Sequence, residues 1–144
     1  MLNVRGICML VPGVNGMSEN IEVISIVDRF LEHERIFYFK NAGAPQMFLA
    51  SADWMNRNLD RRIELMFPVL DTQVFKEIKY CLDTYFESNT NVHKLVSDGT
   101  WYPLQPRSVS DTRRAQEILY EHYKSLNDRH KKGPKIKFHV RRKG

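Results

Sequence analysis

The sequence predicts an α/β protein with a mixed β-sheet flanked by helices, and three observations support this class. Short apolar runs that end at Pro or Gly in the first half of the chain predict buried strands. Two long segments with apolar residues at helical spacing in the second half predict amphipathic helices. A strand–helix–strand unit near the start completes the pattern, and 144 residues suffice for one domain with one core.

The first predicted strand covers residues 3–11 and stops at Pro12-Gly13, with Arg5 close to its start. A buried arginine costs free energy unless its charge is compensated, so Arg5 has either an internal salt bridge or a bound anion as its partner. A buried strand also needs neighbours on both sides, whereas this one begins at residue 3. We therefore expect the chain to be a fragment from the C-terminal end of a longer protein.

A short helix is predicted for residues 25–33, because Ser25 is a suitable N-cap for it. Ile26, Phe30 and His33 then share one helical face. His33 is either a helix C-terminal histidine favoured by the macrodipole or a functional group. The local residues leave both interpretations open.

Further strands are predicted where apolar runs are separated by turn-forming residues. Asn, Gly and Pro over residues 41–45 predict a turn between two strands, and Asp98-Gly99 predicts the turn of a small hairpin. The predicted bounds are 35–40 and 46–51 for the first pair, 51–58 for a loop, 59–67 for a strand that ends at Pro68, and 89–95 with 98–102 for the hairpin.

Two helices are predicted in the second half of the chain. Asp71 is the expected N-cap of the first, which runs to about Ser88, and Ser110 is the expected N-cap of the second, which covers residues 111–128. Their apolar stripes consist of Val74, Ile78, Cys81, Leu82 and Tyr85 in the first helix and Ala115, Ile118, Leu119, Tyr123 and Leu126 in the second.

Composition excludes several classes of protein. The chain has 42% hydrophobic and 27% charged residues, which is typical of a globular protein, and no apolar run reaches the ~20 residues of a membrane helix. Cys8 and Cys81 lie in apolar surroundings, which predicts reduced, buried thiols in a cytoplasmic protein. The histidines and cysteines show no zinc-site spacing, so no metal site is predicted.

The net charge of +5 is concentrated at the C-terminus. We expect residues 1–128 to form the domain and residues 129–144 to form a basic tail without acidic residues. Such a tail is usually solvated, but it is also suited to binding a polyanion. Its basic residues are Arg129, Lys131, Lys132, Lys135, Lys137, Arg141, Arg142 and Lys143.

Polar residues that suit phosphate chemistry lie at the ends of the predicted strands. They are Arg5, His33, Arg35 and, in the loop over residues 50–59, Ser51, Asp53, Arg57 and Asn58. Strand ends that meet at one sheet edge commonly form a ligand site in α/β proteins. Guanidinium groups bind phosphate oxygens bidentately, and a nearby histidine is suited to moving a proton near neutral pH. The spacing therefore permits a phosphate site without requiring one.

Three strings in the chain resemble one enzyme family specifically. They are R-G-I-C-x-L-x-P-G from Arg5, S-I-V-D-R-[FY]-L-E-H-x-R from Ser25, and S-S-A-D-W-M-x-R-N-L-D-x-R, with Ala50 in place of the first serine. Together they resemble the C-terminal part of bacterial polyphosphate kinase, which reversibly transfers the terminal phosphate of ATP to polyphosphate. The resemblance is strong over residues 2–72 and looser in the D-G-T-W-Y and R-A-Q-E-I-L-Y segments.

The resemblance implies a phospholipase-D-like lobe, in which His33-Glu34-Arg35 and Ser51-Ala52-Asp53 are a modified copy of H-x-K and G-S-x-N. It implies that Arg5 and His33, with Arg35 less certain, bind nucleotide phosphates. His33 is in addition the expected proton donor or acceptor. The phosphorylated histidine and the ligands of the Mg²⁺ that accompanies ATP are expected in preceding sequence, so this chain alone is expected to be inactive.

The resemblance also implies the partners: ATP or ADP, polyphosphate, the remaining lobes of the polypeptide, and a homo-oligomer in the full enzyme, with no specific nucleic acid. A cytoplasmic location is expected, with peripheral attachment to the inner membrane left open. Two alternatives remain. One is a single-lobe phospholipase-D-like phosphodiesterase or nuclease, although Lys40 stands where H-x-K-x-x-x-x-D requires aspartate. The other is a non-catalytic module that binds polyanions through its tail.

Overall fold

The computed structural model describes residues 1–132, including the side chains of residues 1–128. Within this range the chain forms two β-sheets and three α-helices. The mixed α/β class is therefore confirmed. The elements are β1 (Leu2–Asn3), β2 (Val23–Ile26), β3 (Ile36–Phe39), β4 (Gln46–Ala50), α1 (Asn56–Leu59), β5 (Met66–Pro68), α2 (Thr72–Glu87), β6 (Val92–Leu95), β7 (Trp101–Pro103) and α3 (Ala115–Lys132).

The strands do not form one mixed sheet. A four-stranded sheet has the order β1-β2-β6-β7, in which β1 and β2 are parallel and the other pairs are antiparallel. A separate three-stranded sheet has the antiparallel order β3-β4-β5. The segment over residues 27–35 connects the two sheets and forms neither helix nor strand. Because this segment is not a crossover helix, it does not bring β3 back beside β2.

The core lies between the four-stranded sheet and the two long helices. All four residues of β2 are buried, and the buried cluster joins Ile24 and Ile26 to Tyr85 of α2, Val92 of β6 and Ala115 of α3. The predicted helix over residues 25–33 is therefore wrong. A short, mostly apolar segment that is buried on both faces favours a central strand, and β1 and β6 pair with it on either side.

The predicted strand over residues 3–11 is also wrong beyond its first residues. The Val4 N–H donates to the Ile24 carbonyl at 2.8 Å, after which the chain leaves the sheet. Ile7 and Met9 are 93% and 88% exposed, so apolar character there does not reflect a buried strand. Residues 5–11 have no strand partner among the described residues, and backbone groups without a partner cannot form a ladder.

Elements with strong local signals are confirmed. β3 and β4 pair as expected around the turn, and the Asp71 carboxylate accepts hydrogen bonds from the N–H groups of Gln73 and Val74 at the start of α2. β6 and β7 form the expected hairpin, where Gly99 has a φ of +83° that favours glycine. The predicted strand over residues 59–67 is confirmed only at its end, because α1 ends at Leu59 and β5 covers Met66–Pro68.

The final helix begins later than predicted. Ser110 lies in a 3₁₀ turn over Val109–Asp111, and α3 starts at Ala115. The buried Ser88 hydroxyl, from the end of α2, accepts a hydrogen bond from the Ala115 N–H at 3.2 Å and donates to the Arg113 carbonyl at 2.9 Å. A cap from a distant residue leaves no signal in the local sequence. Residues 133–144 of the predicted tail lie outside the described residues.

Neither cysteine is fully buried, although both are free thiols as expected. The Cys81 Sγ lies 2.9 Å from the Tyr123 hydroxyl, between α2 and α3, and burial raises the pKa of the Cys81 thiol. Within residues 1–132 there is no helix that combines the length and the apolar character needed to cross a membrane.

Candidate active site

The segment over residues 27–35, which we call the His33 loop, is fixed at its start by an ion pair whose carboxylate is buried. Arg114, the residue before α3, donates from Nη2 to Asp28 Oδ1 at 2.7 Å and from Nε to Oδ2 at 2.8 Å. The Asp28 side chain is 2% exposed, and its Oδ1 also accepts from the Arg29 N–H. Bidentate geometry with further hydrogen bonding is the arrangement that offsets the cost of burying a charge.

The Asp28–Arg114 pair predicts an acid-dependent loss of stability. Hydrogen bonding from Arg114 lowers the pKa of Asp28 from 3.8 to about 2. Because the folded-state pKa is the lower one, the stabilisation is present above the unfolded pKa and is lost as pH falls towards 2. Asp28→Asn should lower the free energy of unfolding by about 2 kcal/mol at neutral pH, and the difference should shrink on acidification. Urea unfolding across this pH range measures both effects.

The matched control for that prediction is Glu22→Gln. Glu22 pairs with Lys94 at 2.8 Å, but both side chains are more than a third exposed, so solvent screens the interaction. This variant should change the stability by less than about 1 kcal/mol at any pH. A destabilisation by Asp28→Asn that stays constant down to the most acidic condition would contradict the assignment.

The far end of the His33 loop carries a three-residue network. Arg35 donates from Nε to Asp53 Oδ1 at 2.9 Å, and its Nη2 lies 2.8 Å from His33 Nε2. Arginine has only donors, so Nε2 is the acceptor and the ring proton of His33 lies on Nδ1. The Arg35 hydrogen bond lowers the pKa of Asp53 and keeps it ionised. The sequence predicted that His33, Arg35 and Asp53 lie close together, and the structure shows them in hydrogen-bond contact.

His33 does not occupy a helix terminus. It lies exposed in the loop, so the interpretation of His33 as a histidine that caps a helix is wrong. The Nδ1–H of its ring is the group left to donate once Nε2 has accepted from Arg35. His33 therefore lies at the protein surface with one ring donor, Nδ1–H, that has no hydrogen-bond partner among the described residues.

Arg5 is exposed, and its side chain has no ion pair or hydrogen bond with any residue in the described range. Of the two alternatives for Arg5, the internal salt bridge is not found among the described residues. Because β1 and β2 are adjacent and parallel, Arg5 and the His33 loop leave the four-stranded sheet at the same edge. Arg5 is not in hydrogen-bond contact with His33. Its guanidinium is available to a ligand, whereas that of Arg35 is already engaged.

The loop after β4 is organised by a residue that the sequence did not indicate. Glu64 accepts from the Ser51 hydroxyl and from Asn58 Nδ2, the latter at 2.9 Å. Ser51 also accepts from the Leu65 N–H, and Asn58 is 3% exposed with an Oδ1 that has no partner among the described residues. Ser51 and Asn58 thus shape the loop, while Arg57 is exposed beside it.

Trp54 is 76% exposed and stacks on Phe37 with ring centroids 5.7 Å apart. Within the described side chains, no group of three or more His, Cys, Asp or Glu residues is placed to hold a metal ion.

Comparison with known proteins identifies the family. A sequence model described as "Polyphosphate kinase C-terminal domain 2" matches residues 1–116. The chain belongs to the polyphosphate kinase family. Polyphosphate kinase from Rhodopirellula baltica is 49% identical over 141 residues, which are 98% of this chain and 16% of the relative. The enzyme of the same name from Pseudomonas syringae pv. tomato is 49% identical over 120 residues, 83% of this chain and 16% of the relative.

The fold is also that of the family. The crystal structure of polyphosphate kinase from Porphyromonas gingivalis matches with a TM-score of 0.79 and 38% identity, over 88% of this chain and 19% of that chain. The chain thus spans less than a fifth of the length of these relatives. The expected family is confirmed, while the roles of individual site residues stay predictions.

Proposed function

We propose that this domain is the part of a polyphosphate kinase that binds the phosphates of ATP or ADP and moves a proton during transfer to polyphosphate. The proposal rests on two side chains that follow adjacent parallel strands: Arg5, after β1, whose guanidinium has no partner among the described residues, and His33, in the loop after β2, whose Nε2 is held by Arg35. Arg5 suits bidentate contact with phosphate oxygens. His33 suits proton exchange with a phosphoryl or leaving oxygen.

The reaction proceeds in two displacements. A histidine in a preceding phospholipase-D-like lobe attacks the γ-phosphorus of ATP, the bond to the ADP oxygen breaks, and the terminal oxygen of polyphosphate then takes the phosphoryl group from that histidine. Arg5 neutralises charge on the transferred group, and His33 supplies or removes the proton at the exchanging oxygen. Mg²⁺ with ATP would neutralise phosphate charge, held by residues outside this chain. The full enzyme is proposed as a cytoplasmic homo-oligomer.

A chimaera tests this function. The matching segment of the Rhodopirellula baltica polyphosphate kinase is replaced by this chain, and ATP-dependent formation of polyphosphate is measured together with the reverse formation of ATP from ADP. We expect both activities in the chimaera and neither in the 144-residue chain alone, because the attacking histidine is expected elsewhere. A chimaera that is soluble and oligomerises like the parent enzyme but makes no polyphosphate would contradict the proposal. So would synthesis by the isolated chain.

A further inference from the structure

Two polar residues of the long helices contact the His33 loop from its buried side. The Gln116 carboxamide accepts from the Phe30 N–H at 3.0 Å and donates to the Phe30 carbonyl at 2.8 Å. It thus binds the backbone of the loop as a neighbouring strand would. Its Nε2 also lies 2.6 Å from Glu32 Oε1, two residues further along the same loop.

The second residue is Tyr85, which is 6% exposed in the core. Its hydroxyl lies 3.0 Å from Glu32 Oε2 and 3.3 Å from Glu34 Oε1, so it contacts the carboxylates on both sides of His33 in the sequence. Glu34 Oε2 in turn accepts from the His33 N–H at 3.1 Å. Burial, and then the two carboxylates, raise the pKa of Tyr85, so its hydroxyl remains a donor at every physiological pH.

We propose that Tyr85 and Gln116 are positioning residues for His33. They fix the backbone of the loop through Glu32, Glu34 and Phe30, while Arg35 fixes the ring from the other side. A ring held at both its backbone and its Nε2 has little freedom to turn its Nδ1–H away from a bound phosphate. This role rests on the function proposed above for His33, and neither residue touches the reacting atoms.

Tyr85→Phe tests this role because it removes one oxygen and keeps the core ring. In the 144-residue chain, we expect the nitrogen chemical shifts of the His33 ring to lose the signature of a hydrogen-bonded Nε2, and the His33 amide to exchange faster with solvent. In the chimaera, kcat should fall by about 10-fold or more with little change in KM for ATP, because alignment matters most in the transition state. Gln116→Ala, which keeps a good helix former, should act in the same direction.

Tyr123→Phe and Gln73→Ala are the matched controls. The Tyr123 hydroxyl contacts Cys81 rather than the loop, and Gln73 lies in the first turn of α2 as Gln116 does in α3. Both should leave the His33 spectrum and kcat unchanged. Unaltered His33 signals in Tyr85→Phe, or an equal loss of kcat in the controls, would overturn the positioning role.

The two proposals fail in different ways. If the unmodified chimaera is inactive but Tyr85→Phe still alters the His33 spectrum, the function is wrong and the positioning is right. If His33→Ala abolishes activity while Tyr85→Phe changes neither the spectrum nor kcat, the function stands and the positioning is wrong.

Discussion

Replacing His33 by alanine in the chimaera should lower the rate of polyphosphate synthesis by about 100-fold or more, the usual contribution of a positioned acid or base. Its exposed side chain contributes nothing to the core, so the melting temperature should stay within a few degrees of the parent value. His33→Gln sharpens the test. Its amide oxygen can accept from Arg35 as Nε2 does, but the side chain cannot exchange a proton.

The comparison of these two variants distinguishes a role of His33 in orienting Arg35 from a role in proton transfer. Equal losses in His33→Ala and His33→Gln indicate proton transfer, whereas recovery in His33→Gln indicates that His33 only orients Arg35. His122→Gln is the control histidine, because its Nε2 contacts Glu77 between α2 and α3, apart from the His33 loop. Near-normal rates in His33→Ala would reject the assignment.

Arg5→Ala should produce the second large effect, a loss of about 100-fold in kcat/KM for ATP. Its guanidinium has no partner among the described residues, so its removal cannot break an internal ion pair. The loss should therefore appear without any change in unfolding free energy. Arg5→Lys should recover only part of the activity, because an ammonium group lacks the bidentate geometry that matches phosphate oxygens.

Arg107→Ala provides the control for lost positive charge. Arg107 is also exposed, and only its backbone N–H is involved in a described hydrogen bond, to Asp111. Its removal should leave ATP kinetics unchanged. A similar loss in both variants would indicate a general effect of net charge and would contradict a specific contact by Arg5.

Local signals in the sequence predicted the elements that depend on local chemistry. The Asp71 cap, the Asp98-Gly99 turn and the β3–β4 pair were correct because a few neighbouring residues determine each of them. The β2 strand was missed because its stability depends on β6, whose residues are distant in the sequence. A four-residue segment with three apolar residues, such as β2, is compatible with either the helical or the strand period until its partners are known.

The same distinction between local and distant determinants holds for the candidate site. His33, Arg35 and Asp53 were grouped correctly because they flank two adjacent strands that pair with each other. Tyr85 and Gln116 were not found, since a polar residue on an amphipathic helix looks the same whether it meets solvent or a loop. The resemblance to a family supplied the roles, and neither periodicity nor composition could have done so.

The His33 loop is tied at both ends to different parts of the molecule, by Asp28 to the start of α3 and by Arg35 to the segment after β4. The number of residues in this loop is therefore constrained as well as their identities. One residue added or removed between these ties would displace at least one ion pair or the ring of His33. Substitutions at exposed positions such as Leu31 should be tolerated far better than any insertion or deletion here.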